Sequence, residues 1–222
     1  MKSRNGKEKA MKNDRFNRFS VSLGLLDYVN PVFYTITIIT IIKNIGPLLG
    51  NPYSQIMITG AVLSILFGFI IPTGKVIVGL GILQFRMPVS LVFCVNTGIL
   101  MSGLMLLKYV LHLKVFPVMV IFTAIAALLF LICRKSRKMN TVAVMVGAFG
   151  YILIYISLII LSLKKHYPLP ALLYAAAIFL FVMLCGIGIR ADLKDPKVHW
   201  KIEISNVICQ GLVALGTIIL FR

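Results

Sequence analysis

The sequence predicts an all-α, polytopic integral membrane protein with about seven transmembrane helices. Three observations carry that expectation. Of 222 residues, 59% are hydrophobic and only 13% are charged; soluble domains carry about a quarter charged residues. The mean hydropathy is +0.98, and polar side chains are too few to cover a soluble surface. The apolar residues also fall into runs long enough to cross a bilayer core of about 30 Å, which takes roughly 20 helical residues.

The runs lie at about 22–43, 54–71, 88–108, 115–133, 140–163, 169–189 and 201–221, after a basic arm over residues 1–20. They divide the chain into that arm and one transmembrane bundle over 21–222. Pro52, Pro88 and Pro168 stand at or just before helix starts, where a missing N–H costs least. The first run is the weakest, because it contains Asp27. Between the second and third runs, residues 72–87 hold the octamer VIVGLGIL, too short to span. It reads as an interfacial linker, with a re-entrant piece as the alternative. GKVIVGLG is not a phosphate loop, because the Gly-Lys-Ser/Thr ending is missing.

Charge placement tests the threading. With the N-terminus inside, 17 of the 23 basic residues fall on the inner side and 6 on the outer, as the positive-inside rule expects. The chain is therefore expected in the cell membrane, N-terminus cytoplasmic and C-terminus outside. The formal charge of +17 does not indicate nucleic acid, since the charges sit in short turns. The arm MKSRNGKEKAMKNDRFNRFS lacks the interleaved aromatics of a single-strand binder. It reads as an orienting segment that touches anionic lipid headgroups. No secretory signal peptide is apparent.

The last run carries an unusual polar stripe. In HWKIEISNVICQ, His199, Glu203, Asn206 and Gln210 fall within about 60° of helical arc, and Thr217 returns to the same line. Unpaired amides and carboxylates are costly in hydrocarbon, so the stripe should face other helices or a cavity. The first run supplies a counterpart: in LLDYVNPVFYTIT, Asp27, Asn30 and Tyr34 share one face. Asp27 and Glu203 are the only acids inside apolar runs, and they lie at similar depth. Pro31 removes a helical hydrogen bond beside Asp27. Asn96 in the third run completes the candidate substrate-binding set, with Gly103 on its face.

Each of these residues has a plainer reading. Intramembrane Asn, Gln, Thr and Tyr often act only as interhelical glue, the favoured role for Asn96 alone. Asp27 and Glu203 could instead snorkel or pair with Lys75, Arg86, Arg190 or Lys201. No cofactor and no metal site is implied. His199 and Glu203 give two ligands at i, i+4, while His112 and His166 belong to outer loops. Cys94, Cys133, Cys185 and Cys209 read as buried apolar-type cysteines, and Trp200 as an interface anchor. Gly46-x3-Gly50, Ala143-x3-Gly147 and Ala171-x3-Ala175 read as packing contacts.

Seven spans can form two parallel three-helix units joined by the fourth. Asn96 and Asn206 then lie in the third helix of each unit, half the chain apart. In topology only, this resembles the 3+1+3 plan of SWEET-type sugar transporters and PnuC-type vitamin transporters. That resemblance implies a substrate held between the two bundles. The fifth span lacks the internal proline of the SWEET pattern, and the aromatic content departs from that of a PnuC.

The leading expectation is a small inner-membrane transporter, or a substrate-binding membrane subunit, for a small polar or cationic solute. Two acids in a partly dry cavity suit proton coupling. One alternative is a membrane-embedded enzyme acting on a lipid or isoprenoid at the cytoplasmic leaflet. It would use His199, Glu203 and Asp27 as acid–base groups, with Arg86 and Arg190 on a phosphate. Another is a non-catalytic subunit that docks other membrane chains within the bilayer.

Overall fold

The computed structural model describes residues 20–82, 88–112, 138–190 and 196–222. Every regular element among them is a helix: α1 (Val21–Asp27), α2 (Val29–Leu49), α3 (Tyr53–Gly79), α4 (Val89–Leu111), α5 (Lys138–Lys164), α6 (Pro168–Arg190) and α7 (Pro196–Leu220). With α1 and α2 counted as one, six segments are long and apolar enough to cross a membrane. The chain is an all-α, polytopic membrane protein. The expected fourth span, 115–133, and the basic arm lie outside the described residues, as does Arg86.

Local chemistry sets the helix ends. Ser20 caps α1, its Oγ accepting from Leu23 N at 3.2 Å. Pro31 cannot donate to the Asp27 carbonyl, and the break between α1 and α2 falls at Tyr28, inside that unmade turn. α2 runs to Leu49, past the expected end at 43, and stops at Gly50, whose φ of +68° suits glycine. Pro52 and Pro88 immediately precede α3 and α4, and Pro168 opens α6, as the sequence suggests.

The largest departure concerns residues 72–87. The second span does not end at 71: α3 continues through Pro72 to Gly79, so the first half of the octamer is helical and no separate interfacial linker begins at 72. Contacts with α1 and α2 explain the extension. Tyr28 Oη and Thr73 Oγ1 share a 2.7 Å hydrogen bond. A Cβ on Gly24 would sit 2.9 Å from Val76 Cγ2, so α1 lies directly against this last stretch. Residues 83–87 fall outside the described set.

The helices close a ring in chain order, from α2 round to α7 and back to α2, with α1 against α3 and α7. Residue pairs give the directions. Tyr34 meets Ser64, and Gly46 lies near Ser54, so α2 and α3 are antiparallel. Gly60 packs near Ser102, and Gly98 near Ser64, so α3 and α4 are antiparallel too. Asn96 meets Ala143 and Lys164 meets Val110, so α4 and α5 run parallel. Tyr174 meets Thr217 and Cys209 meets Ala177, which makes α6 and α7 antiparallel. Asn30 meets Glu203 and Gly211 lies on Phe33, so α7 and α2 are parallel.

Two up-down-up units result, α2–α3–α4 and α5–α6–α7, joined along two parallel seams. The starts of α1, α4, α5 and α7 therefore share one end of the bundle with the finishes of α3 and α6.

The α4/α5 seam is backbone-close. A Cβ on Gly103 would lie 2.7 Å from the Gly150 carbonyl, and one on Gly150 would lie 2.7 Å from Leu100 N. Gly147 faces Asn96 so closely that no side chain fits. Small residues permit such approach where lipid tails remove the usual hydrophobic drive. Two other small-residue spacings do not pack as expected: Gly50 meets nothing within 4 Å, and Ala175 is exposed. We predict that Gly150→Ala costs about 1–3 kcal/mol through overpacking against backbone, read as a lowered melting temperature of the purified protein. Gly46→Ala, which meets only ordinary contacts at 3.6 Å, should leave that temperature unchanged or raise it.

Candidate functional site

At the end of the bundle where α3 finishes, three charged side chains converge from three helices. Lys75 Nζ lies 2.6 Å from Asp27 Oδ2 and 3.1 Å from Glu203 Oε1. The side chains are 22% exposed for Lys75 and 12% for each acid, so water screens the cluster only partly. Asn30 Nδ2 donates to Asp27 Oδ1 at 3.3 Å and to Glu203 Oε2 at 3.4 Å. One amide thus spans both carboxylates while one ammonium holds both. Each acid would be costly alone in hydrocarbon; together they share a counter-ion.

A cavity of about 130 Å³ opens beside this cluster. Asp27, Asn30 and Tyr34 line it from the first span, Ser64 from α3 and Tyr151 from α5. The rest of its wall is largely apolar, including Pro31, Ile71, Val95 and Ile99. Ser64 Oγ and Tyr34 Oη are 2.9 Å apart. Asn30 Oδ1 is buried and has no hydrogen-bond partner among the described residues, leaving a carbonyl acceptor unsatisfied there. The Tyr34 and Tyr151 rings stand edge to face, centroids 6.2 Å apart, and both also line a second, smaller space of about 10 Å³. That space is bounded by Thr37, Tyr155 and Gln210 and is at the limit for one water molecule. Thr37 Oγ1 is buried there without a hydrogen-bond partner among the described residues.

The stripe on α7 turns inward, but its members separate into different roles. Glu203 joins the charged cluster. Gln210, fully enclosed, donates from Nε2 to Tyr155 Oη at 3.2 Å. Thr217 accepts from Tyr174 Oη at 3.2 Å. Asn206 and His199 are half-buried, and neither lines either space. Asn96 donates to the Ala143 carbonyl at 2.8 Å across the α4/α5 seam and does not line the cavity. The geometry therefore brings together Asp27, Asn30, Tyr34 and Glu203, and sets Asn96, His199, Asn206 and Gln210 apart from the cavity.

Sequence reasoning left several contributors out of the site. Lys75 was only one of four cations that could pair with the acids, because an ended second span placed it in a linker. Ser64, Tyr151 and Tyr155 carried no signal beyond being single polar residues in apolar runs. Cys209 is buried and donates to the Ala177 carbonyl at 3.3 Å, in keeping with a structural cysteine. Among the described residues, no group of three or more His, Cys, Asp or Glu could hold a metal ion.

Comparison with protein-family models, with curated proteins and with solved structures found no match. The topological resemblance to the SWEET and PnuC plans accordingly assigns no residue here.

We predict that Tyr155→Phe destabilises the protein by about 1–3 kcal/mol, because Gln210 Nε2 loses its buried acceptor. Adding Gln210→Leu should recover part of that loss, since removing both partners is cheaper than stranding one. Thermal unfolding of the three variants in detergent measures this.

Proposed function

We propose that the protein is a small membrane transporter, or the solute-binding membrane subunit of one, for a small polar or cationic solute. The observation that carries this reading is the cavity lined by the first span, α3 and α4 and closed by Tyr151 of α5, with a shared-ion cluster at its edge. Asp27 supplies charge. Asn30 and Tyr34 supply hydrogen-bonding groups, with Ser64 behind Tyr34. Glu203 acts through Lys75 and Asn30. Protonation of either acid would loosen a tie between the first span, α3 and α7, which suits proton coupling.

The end that bears the cluster also gathers the chain segments richest in Lys and Arg. By the positive-inside rule it faces the cytoplasm of the cell membrane, with the C-terminus outside. The basic arm then lies against anionic lipid headgroups. The alternative of a lipid-directed enzyme gains no support from the cavity, whose lining contains no histidine. A purely accessory subunit would need no cavity of this chemistry.

The test begins with a thermal-shift screen of purified protein against amines, amino acids, sugars and nucleosides. Hits then go to uptake into proteoliposomes. A true solute at about 100 times its Kd should stabilise the protein by about 2.7 kcal/mol. That effect and uptake should both fall in Asp27→Asn and in Glu203→Gln. A screen without hits, or uptake unchanged in both variants, would refute the proposal.

A further inference from the structure

We infer that the rings of Tyr34 and Tyr151 form the partition that closes the path through the bundle, between the cavity beside the charged cluster and the space deeper in. This assignment rests on the transporter reading and names the residues that control passage at its site.

The two spaces lie in series along the bundle. On α2 the cavity is lined by Asn30 and Tyr34, and the second space by Tyr34, Thr37 and Ile41. On α5 the cavity is lined by Tyr151, and the second space by Tyr151 and Ile154. Both helices run inward from the end that bears the cluster, so rising residue numbers on both mean increasing depth. Asn30 to Ile41 covers about 16 Å at the usual helical rise, roughly half of a bilayer core. Tyr34 and Tyr151 line both spaces, and among the described residues no other side chain does so.

The two rings come from helices that are not neighbours. In the ring of helices α2 and α5 stand opposite each other, each the first member of its three-helix unit. Their rings nevertheless meet edge to face, with centroids 6.2 Å apart and planes at 86°, so this contact crosses the interior of the bundle. Tyr34 is steadied by its 2.9 Å hydrogen bond with Ser64 on α3. Tyr151 is steadied by the rings of Tyr155, 5.9 Å away, and of Phe181 on α6, 5.8 Å away. Each ring is thus anchored within its own unit, and the two units touch through the pair.

The volumes on the two sides differ sharply. The cavity holds about 130 Å³, whereas beyond the rings about 10 Å³ remains, at the limit for one water molecule. A solute in the cavity therefore meets a closed wall at the pair. Where two repeated units enclose a solute site, alternating access moves one unit against the other around it. With one ring on each unit, such a movement changes the gap between Tyr34 and Tyr151 directly.

The experiment measures thiol accessibility in the purified full-length protein, with methyl methanethiosulfonate as the reagent and peptide mass spectrometry reading each cysteine separately. Val95→Cys reports on the cavity and Thr37→Cys on the deeper space. With both rings present, Val95→Cys should react about tenfold faster or more, because access governs thiol reactivity. Adding Tyr151→Ala should raise the rate at Thr37→Cys by about tenfold and leave that at Val95→Cys within about twofold. Tyr151→Phe, which keeps the ring, should change neither rate. Val95→Cys no faster than Thr37→Cys, no rise at Thr37→Cys in Tyr151→Ala, or an equal rise at both positions overturns the assignment. If Tyr151→Ala does not fold, Tyr151→Val takes its place; if neither folds, the first comparison decides alone. Labelling needs no solute, so the two readings fail separately. Uptake of a solute together with equal reactivity at the two positions sinks the partition and leaves the transporter reading standing. The expected labelling together with a screen without hits sinks the transporter reading and leaves a partition between two voids.

Discussion

The arrangement depends on one electrostatic constraint: two carboxylates placed inside apolar helices must share a cation. Asp27 and Glu203 lie 176 positions apart in the chain, and Lys75 at 2.6 and 3.1 Å is what makes their meeting tolerable. Satisfying them draws the end of α3 between the first span and α7. That is why α3 extends to Gly79 and why α1 packs against its last turns. The contact also fastens the α2/α7 seam at one end of the bundle, where the small-residue packing of the α4/α5 seam has no equivalent.

The two seams differ in the forces that hold them. Along α4/α5, glycines bring backbones together and Asn96 donates across to a carbonyl; dispersion and close fit dominate. Along α2/α7, Asn30 donates to Glu203 within the charged cluster at one end, and Gly211 lies against Phe33 further in. The cavity lies just inside that end, with Asp27 common to its wall and to the cluster.

Much of this was written in the order of residues. Apolar runs of about twenty residues could only become helices in a bilayer, because their backbone groups must be satisfied internally. The phase of Asp27, Asn30 and Tyr34, and of Glu203, Asn206, Gln210 and Thr217, fixed which faces turn inward. The starts at Pro52, Pro88 and Pro168 followed from a missing N–H, and the break beside Asp27 from Pro31. Depth estimates along the first and last runs correctly placed the two acids at one level.

Tertiary structure decided what those faces meet. Pro72 reads as an end in isolation, yet α3 passes through it because contacts with Tyr28, Gly24, Asp27 and Glu203 outweigh one missing hydrogen bond. Asn96 and Asn206 look equivalent in sequence, but Asn96 is committed to the α4/α5 seam and neither lines the cavity. Ser64, Tyr151 and Tyr155 matter only because the ring of helices aims them at its axis. Helical periodicity is a property of neighbours a few residues apart, and a sequence states it directly. Which side chain fills the space opposite, and whether a void remains there, depends on how distant helices pack, and only the folded bundle fixes that.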